Sequence, residues 1–200
     1  MYSKIRAIVF SVILILMFVC LGGGFLYANG YPEYYVSKTG NDGTGDGSVG
    51  APFLTITKAI FEATAGGTAD TIWIGAGTYA ETVVITRNNL ALIGADSATT
   101  IIFAPGDSTI ATLYGIYADT QTNLTIKNLK ITNAYLGIYF NNVDTSVVEN
   151  VWAVGTRTNQ RSGIYIANGS CSNTVRNCYL ENNEYGVRFF LSSHYNSILN

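Results

Sequence analysis

Residues 115–140, GIYADTQTNLTIKNLKITNAYLGIYF, open on Gly-Ile-Tyr and close on Gly-Ile-Tyr-Phe, and this repetition decides the fold. Gly115-Ile116-Tyr117 returns as Gly137-Ile138-Tyr139 after 22 residues, as Gly163-Ile164-Tyr165 after a further 26, and as Gly186-Val187-Arg188 after 23. A second marker keeps step: Asn128, Asn150, Asn177 and Asn200 follow their glycines by 13, 13, 14 and 14 residues. Around each Asn, apolar residues alternate as they do in a strand with one buried face, because residues two apart share a side. Ile126, Val148, Val175 and Ile198 form one inward set, with Leu129, Val151 and Cys178 another. Ile116, Ile138, Ile164 and Val187 form a third, followed two residues on by Ala118, Phe140, Ile166 and Phe189.

Several short strands per unit, a period near 22 residues and one Asn turn per unit predict a parallel β-helix, an all-β solenoid in which each coil stacks on the last. Equivalent residues then lie ~4.8 Å apart, and the Asn residues should form a ladder of amide hydrogen bonds. A leucine-rich repeat has a similar period, but its Leu-x-x-Leu-x-Leu signature is absent. Upstream of the repeat, Asp70 to Ile74, Thr82 to Ile85, Leu90 to Ile93 and Thr100 to Phe103 read as strands, with turns at Gly75, Gly77 and Gly94. Thr55 to Ala65 places Ile56, Ala59, Ile60 and Ala63 on one face of a short helix ended by Gly66-Gly67, a plug for the open apolar end of the solenoid.

At the amino terminus, Lys4 and Arg6 precede the apolar run Ala7 to Leu21, and Ala28-Asn29-Gly30 offers small residues for cleavage. Residues 1–30 are therefore expected to be a signal peptide, with an uncleaved membrane anchor as the alternative. Residues 31–109 hold the cap and first coils, and residues 110–200 the regular coils. The expected location is secreted, periplasmic or cell-surface, with membrane contact only through residues 1–30. Asn200 falls on the repeat marker itself, so further coils are expected beyond it. A net charge of −2, from 11 Lys and Arg against 13 Asp and Glu, gives no field for holding a polyanion and argues against nucleic acid as a partner. The 18 Asn, 22 Thr and 14 Tyr favour turns and strands over helix. Cys171 and Cys178 are spaced unsuitably for a disulfide, and Cys178 falls on an inward position.

YYVSKTGNDGTGDGSVGAPFLTITKAI (34–60) followed by ADTIWIGAGTYAETVVI (69–85) resembles the amino-terminal region of secreted right-handed parallel β-helix proteins of the pectin-lyase-like superfamily. The resemblance rests on Tyr35-Val36-Ser37, Gly40, Asp42, Pro52-Phe53, Thr55-Ile56, Lys58-Ala59-Ile60, Gly77-Thr78-Tyr79 and Glu81, and residues 115–200 resemble the superfamily's generic repeat. It implies an exported protein that binds or processes acidic polysaccharide, with a noncatalytic adhesin or structural module as the alternative. Gly77 to Glu81 followed by Leu92-Ile93-Gly94 is also similar to the start of pectin methylesterases, but the later catalytic motifs of that family, the clustered Asp of polygalacturonases, and the base and calcium acids of the lyases find no match. If the chain is catalytic, its catalytic set is therefore expected beyond residue 200.

Calcium is the one cofactor for which the chain offers a candidate, the oxygen-rich loop Asn41-Asp42-Gly43-Thr44-Gly45-Asp46-Gly47, although it lacks a distal bidentate Glu. The lone His194 is expected on a surface loop near Tyr195. Glu181, Glu184 and Asp144 are the carboxylates expected in the regular coils, with no two on one outward column. Two outward columns are aromatic: Tyr117, Tyr139 and Tyr165 with Arg188 next in line, and Lys130, Trp152 and Tyr179. Nine residues separate Asn128 from Gly137 and Asn177 from Gly186, but thirteen separate Asn150 from Gly163, so a loop carrying Arg157 and Arg161 is inserted there. Planar guanidinium groups pair with carboxylates and aromatic rings stack on sugars. The substrate-binding site is accordingly expected at Trp152, Arg157, Arg161 and Tyr165, flanked by Tyr139 and Tyr179.

Overall fold

The computed structural model describes residues 32–63, 70–106, 112–155 and 162–199. Residues 1–30, expected to be a signal peptide, together with Gly66-Gly67, Arg157, Arg161 and Asn200, lie outside the described residues. The first strand, β1 (Glu33–Val36), and one helix, α1 (Ile56–Glu62), precede the coils. Coil one comprises β2 (Asp70–Ile74), β3 (Gly77–Ala80) and β4 (Val83–Ile85). Coil two comprises β5 (Leu90–Gly94), β6 (Thr100–Phe103) and β7 (Tyr114–Asp119). Coil three is β8 (Thr125–Thr132) with β9 (Leu136–Asn141), and coil four is β10 (Val147–Val154) with β11 (Ser162–Ala167). Coil five is β12 (Thr174–Arg176), β13 (Tyr179–Glu181) and β14 (Tyr185–Phe189), and β15 (Ser197–Leu199) starts the next level.

Every pairing is parallel. One sheet runs β1-β2-β5-β8-β10-β12-β15, with β3 paired to β6, β6 to the later half of β8, and β13 to the later half of β10, and the other runs β4-β7-β9-β11-β14. The chain is thus an all-β, right-handed parallel β-helix of about five coils with one short capping helix. β1 and β3 escape the sequence reading, and Gly77, expected in a turn, instead opens β3 with φ 142°.

The repeat glycines have a direct cause. A Cβ on Gly115 would lie 2.6 Å from the carbonyl oxygen of Gly137, and one on Gly137 would lie 2.4 Å from that of Gly163, so only glycine lets successive coils approach here. The repeat asparagines turn the strand. Asn128, Asn150 and Asn177 adopt φ of 56°, 52° and 52°, a left-handed bend that Asn tolerates better than most residues, and Asn150 Nδ2 donates to Asn128 Oδ1 at 2.8 Å. A further stacked corner uses the same conformation at Asn123, Thr145, Ser172 and Tyr195.

The inward sets fill the core. Ile116, Ile126, Leu129, Ile138, Phe140, Ile164 and Ile166 are fully buried. In the last described coil Phe189 and Ile198 are 39% and 54% exposed, because no described strand stacks over them. Cys178 is half-buried against the core as expected, and both Cys171 and Cys178 are free thiols. Polar groups inside the corners are satisfied from the next coil: Asn173 Oδ1 accepts from Ser146 N at 2.9 Å while its Nδ2 donates to Val143 O at 2.7 Å.

α1 covers the first coil by burying Ile56, Ala59 and Ile60. Two carboxylates fasten it. Thr55 caps the helix by accepting from Lys58 N at 3.1 Å, and Asp42 accepts from Leu54 N, Thr55 N and Thr55 Oγ1. Glu81, reaching from coil one, accepts from Ile56 N, Thr57 N and Thr57 Oγ1, placing negative charge at the helix start.

Candidate functional site: two aromatic columns

Parallel register places equivalent side chains one above another. On the second sheet Val84 pairs with Tyr117, Tyr117 with Tyr139, Tyr139 with Tyr165 and Tyr165 with Arg188, so these residues run as one outward file. Ring centroids are 5.3 Å apart for Tyr117 and Tyr139 and 5.1 Å for Tyr139 and Tyr165, with tilts of 39° and 37°. Tyr114 joins the file, 5.0 Å from Tyr117 and 5.4 Å from Tyr139. All four tyrosines are half-exposed.

A polar file runs beside the rings. Asp119 and Asn141, each two residues beyond a ladder tyrosine, pair across coils, and Asn141 Nδ2 donates to Asp119 Oδ1 at 2.7 Å. The Tyr139 hydroxyl donates to Asn141 Oδ1 and accepts from Asn168 Nδ2, both at 3.3 Å, and Asn168 also donates to Asn141. Burial and the neighbouring tyrosines push the Tyr139 hydroxyl up to about 12. Burial, then the hydrogen bond with Asp119, also raises that of Tyr117. These hydroxyls stay protonated at neutral pH and serve as hydrogen-bonding groups, not bases.

Above Tyr165 the file carries a cation. Arg188 lies 5.5 Å from the Tyr165 ring, 4.9 Å from Tyr185 and 5.1 Å from Phe190. Among the described residues no carboxylate pairs with it.

The second column lies on the other sheet, where Lys130 pairs with Trp152 and Trp152 with Tyr179. Trp152 and Tyr179 meet edge to face at 5.6 Å and border a shallow depression with Ser97, Asn150, Asn177 and Glu181. Lys130 Nζ sits 3.6 Å from the Trp152 ring centre, so a protein cation already occupies that ring. On the same sheet, Lys127 and Arg176 pair with Glu149 at 2.5 and 3.1 Å, and these two hydrogen bonds hold its carboxyl below the usual range.

Of the six residues expected to bind substrate, the structure joins Tyr139 to Tyr165 and, separately, Trp152 to Tyr179. The two pairs belong to different sheets, and the described ring contacts do not cross between them. Arg157 and Arg161 lie outside the described residues. Tyr114, Asp119, Asn141 and Asn168 went unread as site residues, although Asp and Asn two positions after successive outward tyrosines were a visible period-two signal. The carboxylates expected in the regular coils also omitted Asp119 and Glu149.

The loop considered for calcium uses its oxygens internally. Asn41 Oδ1 accepts from Gly43 N and Thr44 N, Asp46 Oδ1 accepts from Ser48 N, and Asp42 holds the helix cap. Burial opposes ionisation of Asp42, but the bonds from Thr55 and Leu54 outweigh it and lower its pKa. His194 is exposed, 5.0 Å from Tyr195, as expected.

Residues 114–200 match the family described as the right-handed beta helix region, and residues 38–94 match a protein family of unknown function, DUF1565. No curated protein matches the sequence. Among solved structures, a pectin methylesterase mutant in complex with a hexasaccharide is 20% identical with a TM-score of 0.53, over 81% of this chain and 67% of that one. A rhamnogalacturonan lyase gives 15% identity and a TM-score of 0.57 over 82% of this chain and 43% of its own. A GH136 lacto-N-biosidase from Eubacterium ramulus gives 15% and 0.58 over 80% and 36%. With its stacked glycines, its asparagine bends and these neighbours, the chain has the fold of a right-handed parallel β-helix.

Proposed function

We propose that this is an exported β-helix protein whose tyrosine file binds an acidic polysaccharide chain lengthwise. One observation carries the reading: the half-buried Tyr117, Tyr139 and Tyr165 follow one another up three coils, with Tyr114 packed beside the first two, next to hydrogen-bonding Asp119, Asn141 and Asn168. The C–H face of a sugar ring packs on an aromatic ring while its hydroxyls need donors and acceptors alongside, and a ladder with a step of ~4.8 Å suits a ligand that repeats on the scale of a sugar ring. The pectin methylesterase neighbour, a hexasaccharide complex, supports a glycan as the class of ligand. The file holds one carboxylate in register, Asp119, among the described residues, so binding is better supported than acid/base hydrolysis, which uses two.

A second reading places the ligand at Trp152 and Tyr179 with Arg157 and Arg161, and the depression beside that pair favours it. Retention on immobilised polygalacturonate or alginate at low salt separates the readings. Tyr139→Ala with Tyr165→Ala should abolish retention while Arg157→Ala with Arg161→Ala preserves most of it. The reverse pattern transfers the site to the second column, and no retention of the unaltered protein on any glycan refutes both. Export is checked by sequencing the amino terminus of the mature protein, with cleavage expected near Gly30.

A further inference from the structure

We propose that Arg188 is the specificity residue of the tyrosine file: it reads a sugar carboxylate and so selects uronate-bearing chains over neutral ones. The inference rests on the binding reading above and adds the residue that decides the class of sugar.

Three observations carry it. First, register puts Arg188 directly above Tyr165, so its guanidinium occupies the place where the next aromatic step would stand. Secondly, the guanidinium carbon of Arg188 lies within 5.5 Å of the ring centres of Tyr165, Tyr185 and Phe190, so its neighbours are aromatic. Aromatic rings attract the cation but offer no carboxylate oxygen, so the N–H fork matched to carboxylate is left for a ligand. Thirdly, other cations of the coils have partners: Lys127 and Arg176 share Glu149, Lys130 rests on Trp152, and Arg87 donates to Phe61 O. Arg188 has aromatic neighbours but no anion among the described residues. A ligand lying along Tyr117, Tyr139 and Tyr165 arrives at it with its next sugar, and a carboxylate there completes a bidentate pair that an ester or a hydroxymethyl group does not.

The test is calorimetric titration of the full chain with oligogalacturonate, its methyl ester and a neutral galacto-oligosaccharide. The unaltered protein should prefer the free acid by about tenfold or more, the range of a charge-assisted bidentate contact. Arg188→Gln should remove that preference by weakening the free acid more than the ester, and Arg188→Lys should restore only part of it, since an ammonium lacks the fork. Thermal melting of each variant establishes that the fold persists. Unaltered protein that binds acid and ester equally, or Arg188→Gln that keeps the preference, overturns the inference while leaving the tyrosine file standing. Protein that binds none of the three overturns the binding reading itself, and this inference with it.

Discussion

Two outward columns of aromatic side chains run along this β-helix, and they differ in what their neighbours leave free. On one sheet, Lys130 lies against the ring of Trp152, and nearby Lys127 and Arg176 share the carboxylate of Glu149 across three coils. On the other, Tyr114, Tyr117, Tyr139 and Tyr165 present half-buried rings beside amide and carboxylate groups, and the cation stacked above Tyr165 has no anion among the described residues. Outward aromatics in register arise on both, so aromatic periodicity alone does not mark a binding face. What distinguishes the two is how closely a cation covers a ring: Lys130 lies 3.6 Å from the centre of Trp152, whereas Arg188 stands 5.5 Å from that of Tyr165.

Tyr139 should give the largest separation. It touches three other rings and two amides, so Tyr139→Ala should cost about 2 kcal/mol of stability by chemical denaturation and weaken glycan binding about tenfold or more. Trp152→Ala should also destabilise the fold but leave glycan affinity unchanged. Equal losses of affinity from both variants would erase the distinction.

The columns should also fail at opposite ends of the pH scale. The folded-state pKa of Tyr139 is raised from 10.0 to about 12, so its contribution is fully present below pH 10 and is lost as pH climbs towards 12. Glu149 and Asp42 have lowered folded-state values. Their contributions are present above the ordinary carboxylate pKa and disappear as pH falls through the folded value. Tyrosinate absorbance should therefore rise late and together with loss of the second sheet, whereas Glu149→Gln and Asp42→Asn should flatten the acid limb of stability alone.

Smaller effects sharpen the contrast. Lys130→Ala should cost about 0.5–1 kcal/mol and alter Trp152 fluorescence, while opening the ring to solvent. Glu149→Gln at neutral pH should cost less than about 1 kcal/mol, because its partners are partly solvated.

Much of this fold was legible because coil stacking imposes demands that single residues meet. Gly115, Gly137 and Gly163 recur where a side chain would strike the next coil, and Asn128, Asn150 and Asn177 recur where the backbone must turn left-handed. Even the pairing of Tyr117 with Tyr139 and of Trp152 with Lys130 followed from register. Less legible was anything settled between residues far apart in the chain. Asp42 read as a metal-loop candidate because its donors, Leu54 and Thr55, arrive from a later turn, and Glu81 gave no hint that it would bind a helix start 25 residues earlier. β3 was missed because Gly77 looks like a turn residue, although its φ of 142° suits an extended chain that only glycine enters readily. Register also states who is adjacent without stating whose ring is covered, and that is why one groove was expected where the structure has two separate aromatic pairs.

The most direct test of the central claim is hydroxyl-radical footprinting of the full chain with and without saturating oligogalacturonate, read residue by residue by mass spectrometry. Protection should appear at Tyr117, Tyr139 and Tyr165 and leave Trp152 and Tyr179 unchanged; protection confined to Trp152 and Tyr179, or bound glycan that protects neither column, would contradict it.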